Sequence, residues 1–166
     1  MARASETATF LRTVSLFQSA SEADLLALAS GLDERRLRRG SILFRMGDAG
    51  DEMFVVRSGT VVISRPVSDR VEGVLARMTP GHFFGEMALF DDQRRSATVQ
   101  AETDVVLLVL DRKRLTRLIE SNPHAAAAFF HALVKVFSQR LRESGDKLAE
   151  LIRWSQEATG FEPESR

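Results

Sequence analysis

Residues 83–99 read FFGEMALFDDQRRSATV. Gly85-Glu86 opens a short apolar run, Asp91-Asp92 follow, and Arg94-Arg95 lead through small residues into a strand-like segment. One acid and one of two arginines bracket a loop too short to be a domain feature of its own. An exposed ion pair between them would contribute little stability. It would also leave Gly85, Ala88 and Ala97 without a reason. Such a loop reads as a grip rather than a brace.

Working outward, residues 33–110 hold short β-branched and aromatic runs: ILF, MFVV, TVVIS, VLARM, ATVQA and VVLLVL. Turn signals separate them at Arg39-Gly40, at GDAGD over 47–51, at Ser58-Gly59 and at TPG over 79–81. Short strands with regular turn punctuation predict an antiparallel sandwich or barrel. Gly47, Gly50 and Gly59 are expected to supply positive φ at tight turns. ERRLRR, residues 34–39, reads as a strand carrying solvated charges.

Helical segments flank this region. Over 1–31, Ser21 and Asp24 approximate a capping box, Leu25, Leu26 and Leu28 are the apolar positions, and Gly31 suits the helix end. Over 111–157, Asp111 is expected to cap RKRLTRLIES, and Asn122-Pro123 to open a second, long helix. Ala127, Phe130, Val134, Phe137, Leu141, Leu148 and Leu151 follow at alternating spacings of three and four, with Ser144 at the one polar position. That seam is the pattern of helix pairing, which would give a homodimer through the C-terminal helix; the alternative is that Phe130 and Phe137 pack on the barrel. Residues 158–166 are expected to form a tail.

Composition narrows the functional classes. Of 166 residues, 44% are hydrophobic and 28% charged, which is the balance of a globular chain. Equal numbers of basic and acidic residues, 23 each, argue against a broad nucleic-acid-binding face. With no cysteine, disulfides, thiol catalysis and Cys-ligated metals are excluded. His82, His124 and His131 show no metal-ligand spacing. No apolar stretch has the length of a membrane span or signal peptide, so a cytoplasmic protein is expected.

Two motifs in order resemble the cyclic-nucleotide-binding domain family, which includes the ligand domains of catabolite activators, protein kinase A regulatory subunits and cyclic-nucleotide-gated channels. GSILFRMGDAGDEMFVVRSGTVVIS is similar to the family's roll, and FGEMALFDDQRRSATV to its phosphate-binding cassette. The resemblance covers roughly residues 10–150. It implies an α+β fold: an antiparallel β-roll (a double-stranded β-helix, or jelly roll) over 32–110, an N-terminal helical segment over 1–31, and hinge and lid helices over 111–157. It also implies a regulatory sensor whose ligand, cyclic AMP or cyclic GMP, repositions the C-terminal helix. No other cofactor and no metal are expected.

In that reading Glu86 accepts a hydrogen bond from the ribose 2′-hydroxyl and Gly85 lets backbone approach the ligand. Met87, Ala88 and Leu89 begin a helical turn whose N–H groups suit an anion. Arg95, the arginine directly before the Ser-Ala pair, meets the phosphate, while Arg94 alternates to the other side of the strand. Ser96 adds a hydroxyl and favours cyclic AMP. Leu75 and Phe84 are candidates for the apolar wall against the purine, although both also suit ordinary core. Alignment of SQRLRESGDKL places Ser144 beside the base. Gly145 departs from the family, which carries a second polar residue there. A mid-helix glycine allows close approach or a bend, or has no role.

Two rival readings are a degenerate dimerisation module without ligand and a cupin-type metalloenzyme. The first is disfavoured by the intact Glu86 and Arg95, the second by the single histidine of the β region. Too few residues follow Leu148 for a helix-turn-helix, so no DNA binding through this chain alone is expected. Output through a fused or partner effector domain is expected instead.

Overall fold

The computed structural model describes residues 2–68 and 71–159. The chain divides into a first unit reaching to Phe129 and a second beginning at Phe130. The first unit opens with α1 (Ala2–Leu11), a 3-10 turn (Ser15–Phe17) and α2 (Glu22–Ser30). Ser21 caps α2: its Oγ accepts from the Asp24 N–H, and the Asp24 carboxylate accepts from the Ser21 N–H, completing the reciprocal box. Aspartate serves in place of the usual glutamate because its side chain still reaches back one turn.

Eight strands follow: β1 (Asp33–Leu37), β2 (Ile42–Phe44), β3 (Glu52–Ser58), β4 (Val61–Ser68), β5 (Val71–Met78), β6 (Phe83–Phe84), β7 (Thr98–Ala101) and β8 (Val105–Asp111). They form two antiparallel four-stranded sheets, β1-β8-β3-β6 and β2-β7-β4-β5. The expected antiparallel β architecture, with helices at both ends, is present. Phe54, Val56, Val61, Phe84, Val99, Ala101, Val105, Leu107 and Val109 fill the space between the sheets. Met53, Val55, Leu108 and Leu110, on the alternate positions of β3 and β8, are buried as well. Strands covered on both faces explain why MFVV and VVLLVL are continuous apolar runs rather than alternating ones.

The topology sets up the loop at 85–97. β6 pairs with β3 in one sheet, Phe84 standing level with Phe54. β7 lies between β2 and β4 in the other sheet. The loop therefore leaves one sheet and enters the second, and both its ends are fixed by strand pairing.

Three local expectations are corrected. Gly50 is absent from the positive-φ glycines, which are Gly40, Gly47, Gly59, Gly81 and Gly85. Arg94 and Arg95 precede β7 and lie in irregular chain rather than in a strand. The charges of residues 34–39 are not simply solvated: Arg35 forks onto Glu52, at 2.9 and 2.6 Å, and Glu34 receives Arg36 and Arg57. Burial against neighbouring strands makes these pairs the means of satisfying groups that cannot all reach water.

Asp111 caps α3 (Arg112–Ser121) by accepting from the Arg114 N–H at 2.7 Å. Asn122 accepts from the Ala125 N–H and so starts α4 (Pro123–Thr159). Within the first unit, Phe129 stacks on Phe17 at 6.0 Å, and Ala125 and Ala126 are buried. In the second unit Ala132 and Leu133 are buried, whereas Val134, Leu141, Leu148, Leu151, Ile152 and Trp154 are exposed. Of the heptad pattern, Val134, Leu141, Leu148 and Leu151 are thus exposed, whereas Phe130 and Phe137 are half-buried. The helix continues through Thr159, past the expected start of a tail at 158; residues 160–166 lie outside the described ones. Among the described residues no helix is long and apolar enough to cross a membrane. A Cβ at Gly145 would stand in open space, so no close approach requires the glycine. Gly145→Ala should therefore stabilise α4 by about 0.5–1 kcal/mol, read as a higher helical melting temperature by circular dichroism.

His124, on the first turn of α4, hydrogen-bonds the buried Asp24 at 3.0 and 3.1 Å. Asp24 raises the imidazole above its ordinary value. His124 chiefly, and Ser21 next, hold the Asp24 carboxyl below its own. The raised histidine stabilises fully below about pH 6.5 and loses its contribution as pH rises through the folded value; the lowered Asp24 loses its contribution only on acidification, below about pH 3.9. Thermal melts between about pH 5 and about pH 8 should thus show stability falling as pH rises. His124→Gln should remove that part of the slope, and an unchanged slope would refute the linkage.

Candidate functional site

Gly85 has φ +75°, and a Cβ there would stand 2.9 Å from Arg95 Nη1 and 3.2 Å from the Glu52 carbonyl oxygen. Both conformation and space thus demand glycine at this point. A 3-10 turn, Glu86–Leu89, follows directly. Glu86, Ala88 and Leu89 are buried, whereas Met87 is exposed. Ser96 is exposed as well.

Arg95 is only 7% exposed. Its Nη1 donates to the Glu52 carbonyl oxygen at 2.9 Å and to that of Gly85 at 3.4 Å. The guanidinium carbon lies 4.1 Å from the Phe44 ring centre and 5.6 Å from that of Phe54. Its backbone is held equally firmly, with Arg95 N–H to Asp48 O and Gly47 N–H to Arg95 O both at 2.8 Å. Gly50 is the seat of this arginine. A Cβ at Gly50 would fall 2.3 Å from Arg95 Nε and 2.5 Å from Cζ. The glycine that sequence reading assigned to turn geometry is required instead by a side chain more than forty residues away.

Two of the carboxylates whose charge acts on Arg95 have other partners. The Glu52 carboxylate receives the Arg35 fork, and the Asp48 carboxylate accepts from the Arg45 N–H. Arg95 Nε is buried with no hydrogen-bond partner among the described residues. Burial lowers the guanidinium pKa, and the charges of Glu52, Asp51 and Asp48 offset this only in part. Taking such a cation out of water costs several kcal/mol. Two carbonyls and a cation–π contact of about 2 kcal/mol recover only part of that. Electrostatically, the site is built to receive negative charge.

The remaining expected residues separate. Arg94 is exposed and donates to the Gly47 carbonyl oxygen at 2.9 Å, so the two arginines have different surroundings, as expected. Phe84 stacks on Phe54 at 5.3 Å between the sheets and belongs to the core. Its ring is therefore no free wall for a ligand. Leu75, on β5, is 59% exposed. Ser144 is an exposed position of α4 in the second unit. The Phe44 face and the Glu52 carbonyl were missed by sequence reading, because contacts made by ring faces and backbone oxygens leave no residue-type signal. Among the described residues, no group of three or more His, Cys, Asp and Glu side chains is placed to hold a metal.

Residues 34–122 match the family described as the cyclic nucleotide-binding domain. The chain is 31% identical over 142 residues to a CRP-like cAMP-activated global transcriptional regulator of Mycobacterium tuberculosis, covering 86% of this chain and 62% of that protein. It is 40% identical over 116 residues to a cyclic nucleotide-gated potassium channel of Mesorhizobium japonicum, covering 70% of this chain and 31% of the channel. Its fold matches the crystal structure of the N-terminal domain of a transcriptional regulator from Streptomyces coelicolor, with TM-score 0.72, 34% identity, and coverage of 84% of this chain and 94% of that one. The chain thus spans less than two thirds of the length of both curated relatives.

Gly50→Ala tests the seating of Arg95. Its backbone conformation admits alanine, so the clash alone should destabilise the protein, by about 1–3 kcal/mol in urea denaturation. A neutral outcome would show that Arg95 has another place to go.

Proposed function

Because the chain belongs to the cyclic-nucleotide-binding domain family, we propose that it is a non-enzymatic sensor that binds a cyclic nucleotide, cyclic AMP in preference to cyclic GMP. The observation that carries this is the buried Arg95 guanidinium, held by carbonyls and ring faces with Nε unpartnered among the described residues. A cyclic phosphate supplies one compact negative charge to such a group. Glu86 begins the 3-10 turn directly after Gly85, whose carbonyl oxygen touches Arg95, so a single ligand has its acid and its base close at hand. The acid would take the ribose 2′-hydroxyl, and Ser96 would add a hydroxyl to the phosphate or base. The preference for cyclic AMP rests on Ser96, because family members with threonine after the cassette arginine tend to bind cyclic GMP.

The same reading extends to α4. Nucleotide would reposition this helix, with Ser144 meeting the base, and Phe137, Leu141, Leu148 and Leu151 would pair with their copies in a homodimer. Its support is the heptad spacing together with the exposure of Leu141, Leu148 and Leu151. Output would pass to a fused or partner effector domain. Truncation after Arg142 should weaken both nucleotide binding and self-association, read by calorimetry and sedimentation.

Calorimetric titration with both nucleotides is the direct test. Arg95→Ala should cost roughly 2–5 kcal/mol of binding, about 30- to 4,000-fold in affinity. Arg94→Ala should cost far less, and equal losses would mean that the wrong arginine has been assigned. A 2′-deoxy cyclic nucleotide should bind more weakly than its parent, and that penalty should largely vanish in Glu86→Ala. Full additivity of the two losses would reject the Glu86 assignment.

A further inference from the structure

Arg112 is an odd first residue for α3. A cation there opposes the helix dipole, and the first turn contains no acidic residue to offset it. Asp111, the N-cap, is occupied by Arg114, receiving both its N–H and its side chain. The explanation for Arg112 lies outside its own helix. Its Nη2 donates to the carbonyl oxygens of Ala88 at 2.8 Å and Asp91 at 2.7 Å, and Nη1 pairs with Asp92 at 2.6 Å. Its backbone N–H donates to the Asp51 carbonyl oxygen at 3.0 Å. One residue therefore touches the end of the 3-10 turn, the loop behind it and the segment carrying Gly50. Those are the pieces that set the place of Glu86 on one side and of Arg95 on the other.

Between Phe84 and Thr98 no strand pairing restrains the chain. The two ends are fixed and Arg95 is tied by its backbone to Gly47 and Asp48, but the stretch around Ala88–Asp92 is joined to the rest of the fold by side-chain bonds. Arg112 supplies three of these near its middle, from a planar fork whose geometry a flexible ammonium cannot reproduce. We infer that Arg112 is a positioning residue for the cassette, holding Ala88 and Asp91 so that Glu86 and Arg95 address one ligand together. It touches no ligand itself. Because Arg112 is also the start of α3, any shift of the cassette carries the head of that helix with it.

This inference rests on the cyclic-nucleotide reading, and its test separates the two. Wild type, Arg112→Ala, Arg112→Lys and Asp92→Ala are titrated with cyclic AMP and its 2′-deoxy analogue, with thermal melts recorded in parallel. Arg112→Ala should bind cyclic AMP about 10- to 100-fold more weakly, as expected for lost hydrogen bonds to a charged donor. Its preference for the 2′-hydroxyl should also shrink, because a loosened turn no longer presents Glu86. A merely destabilised protein would lose affinity for both ligands in the same ratio. Arg112→Lys should recover part of the affinity. Asp92→Ala should stay near wild type, since the Asp92 side chain is 92% exposed.

Failure of wild type to bind any cyclic nucleotide overturns both readings. Normal wild-type binding with an unchanged affinity, or an unchanged 2′-hydroxyl ratio, in Arg112→Ala overturns the role of Arg112 alone. Should the alanine variant not fold, the same ratio in Arg112→Lys decides: a value equal to wild type together with full affinity rejects the need for the fork, and a reduced one supports it.

Discussion

A buried guanidinium, with the carboxylates of Glu52 and Asp48 engaged elsewhere, is the constraint on which the rest of this structure depends. Arg95 sits on the Phe44 ring, under two carbonyls, in a space that exists because residue 50 has no side chain. Each of those neighbours comes from a different segment. Phe44 ends β2, Gly50 lies in the loop before β3, the Glu52 carbonyl belongs to β3 itself, and Gly85 follows β6. The cation can occupy this place only when both sheets are formed and correctly registered. Arg95 is therefore costly to bury for stability alone, and the proposed binding of an anionic ligand would supply the rationale.

The fold meets that demand by making the loop at 85–97 a bridge between sheets. One end leaves β6, paired to β3; the other enters β7, between β2 and β4. Core residues from both sheets, Phe54, Phe84 and Val99 among them, lock the ends in place. Phe84, the residue before Gly85, is itself buried in the core against Phe54. Arg112 then secures the middle of the span. Stability and recognition thus draw on the same strand pairings, and a change to either sheet is felt at the cassette.

The helices divide into two roles. In the first unit, capping, aromatic stacking and the His124–Asp24 bond fix α2 and the start of α4. In the second, α4 carries a stripe of exposed apolar side chains at heptad spacing. A stripe of that kind is unfavourable in water and marks a surface that gains from being covered.

Much of this was legible in the sequence. The strand runs ILF, MFVV and VVLLVL, the Ser21 box, the Asp111 cap and the Asn122-Pro123 helix start are all local signals, because propensity, capping and turn chemistry act over a few residues. The Gly85-Glu86 and Arg95 pattern was equally plain, and with it the family. Tertiary structure alone decided the rest. Gly50 was read as a turn glycine, and its actual reason is the Arg95 side chain. Phe84 was ambiguous between wall and core until its partner Phe54 came into place. Arg112 carried no signal at all, since its acceptors are mainly backbone oxygens twenty or more residues away. The heptad spacing on α4 was legible as a pattern, but the exposure of Val134, Leu141, Leu148 and Leu151 and the partial burial of Phe130 and Phe137 were not, because spacing fixes which side chains share a face and not what covers it. Local chemistry is written in residue types; space, desolvation and carbonyl contacts exist only once the chain has folded.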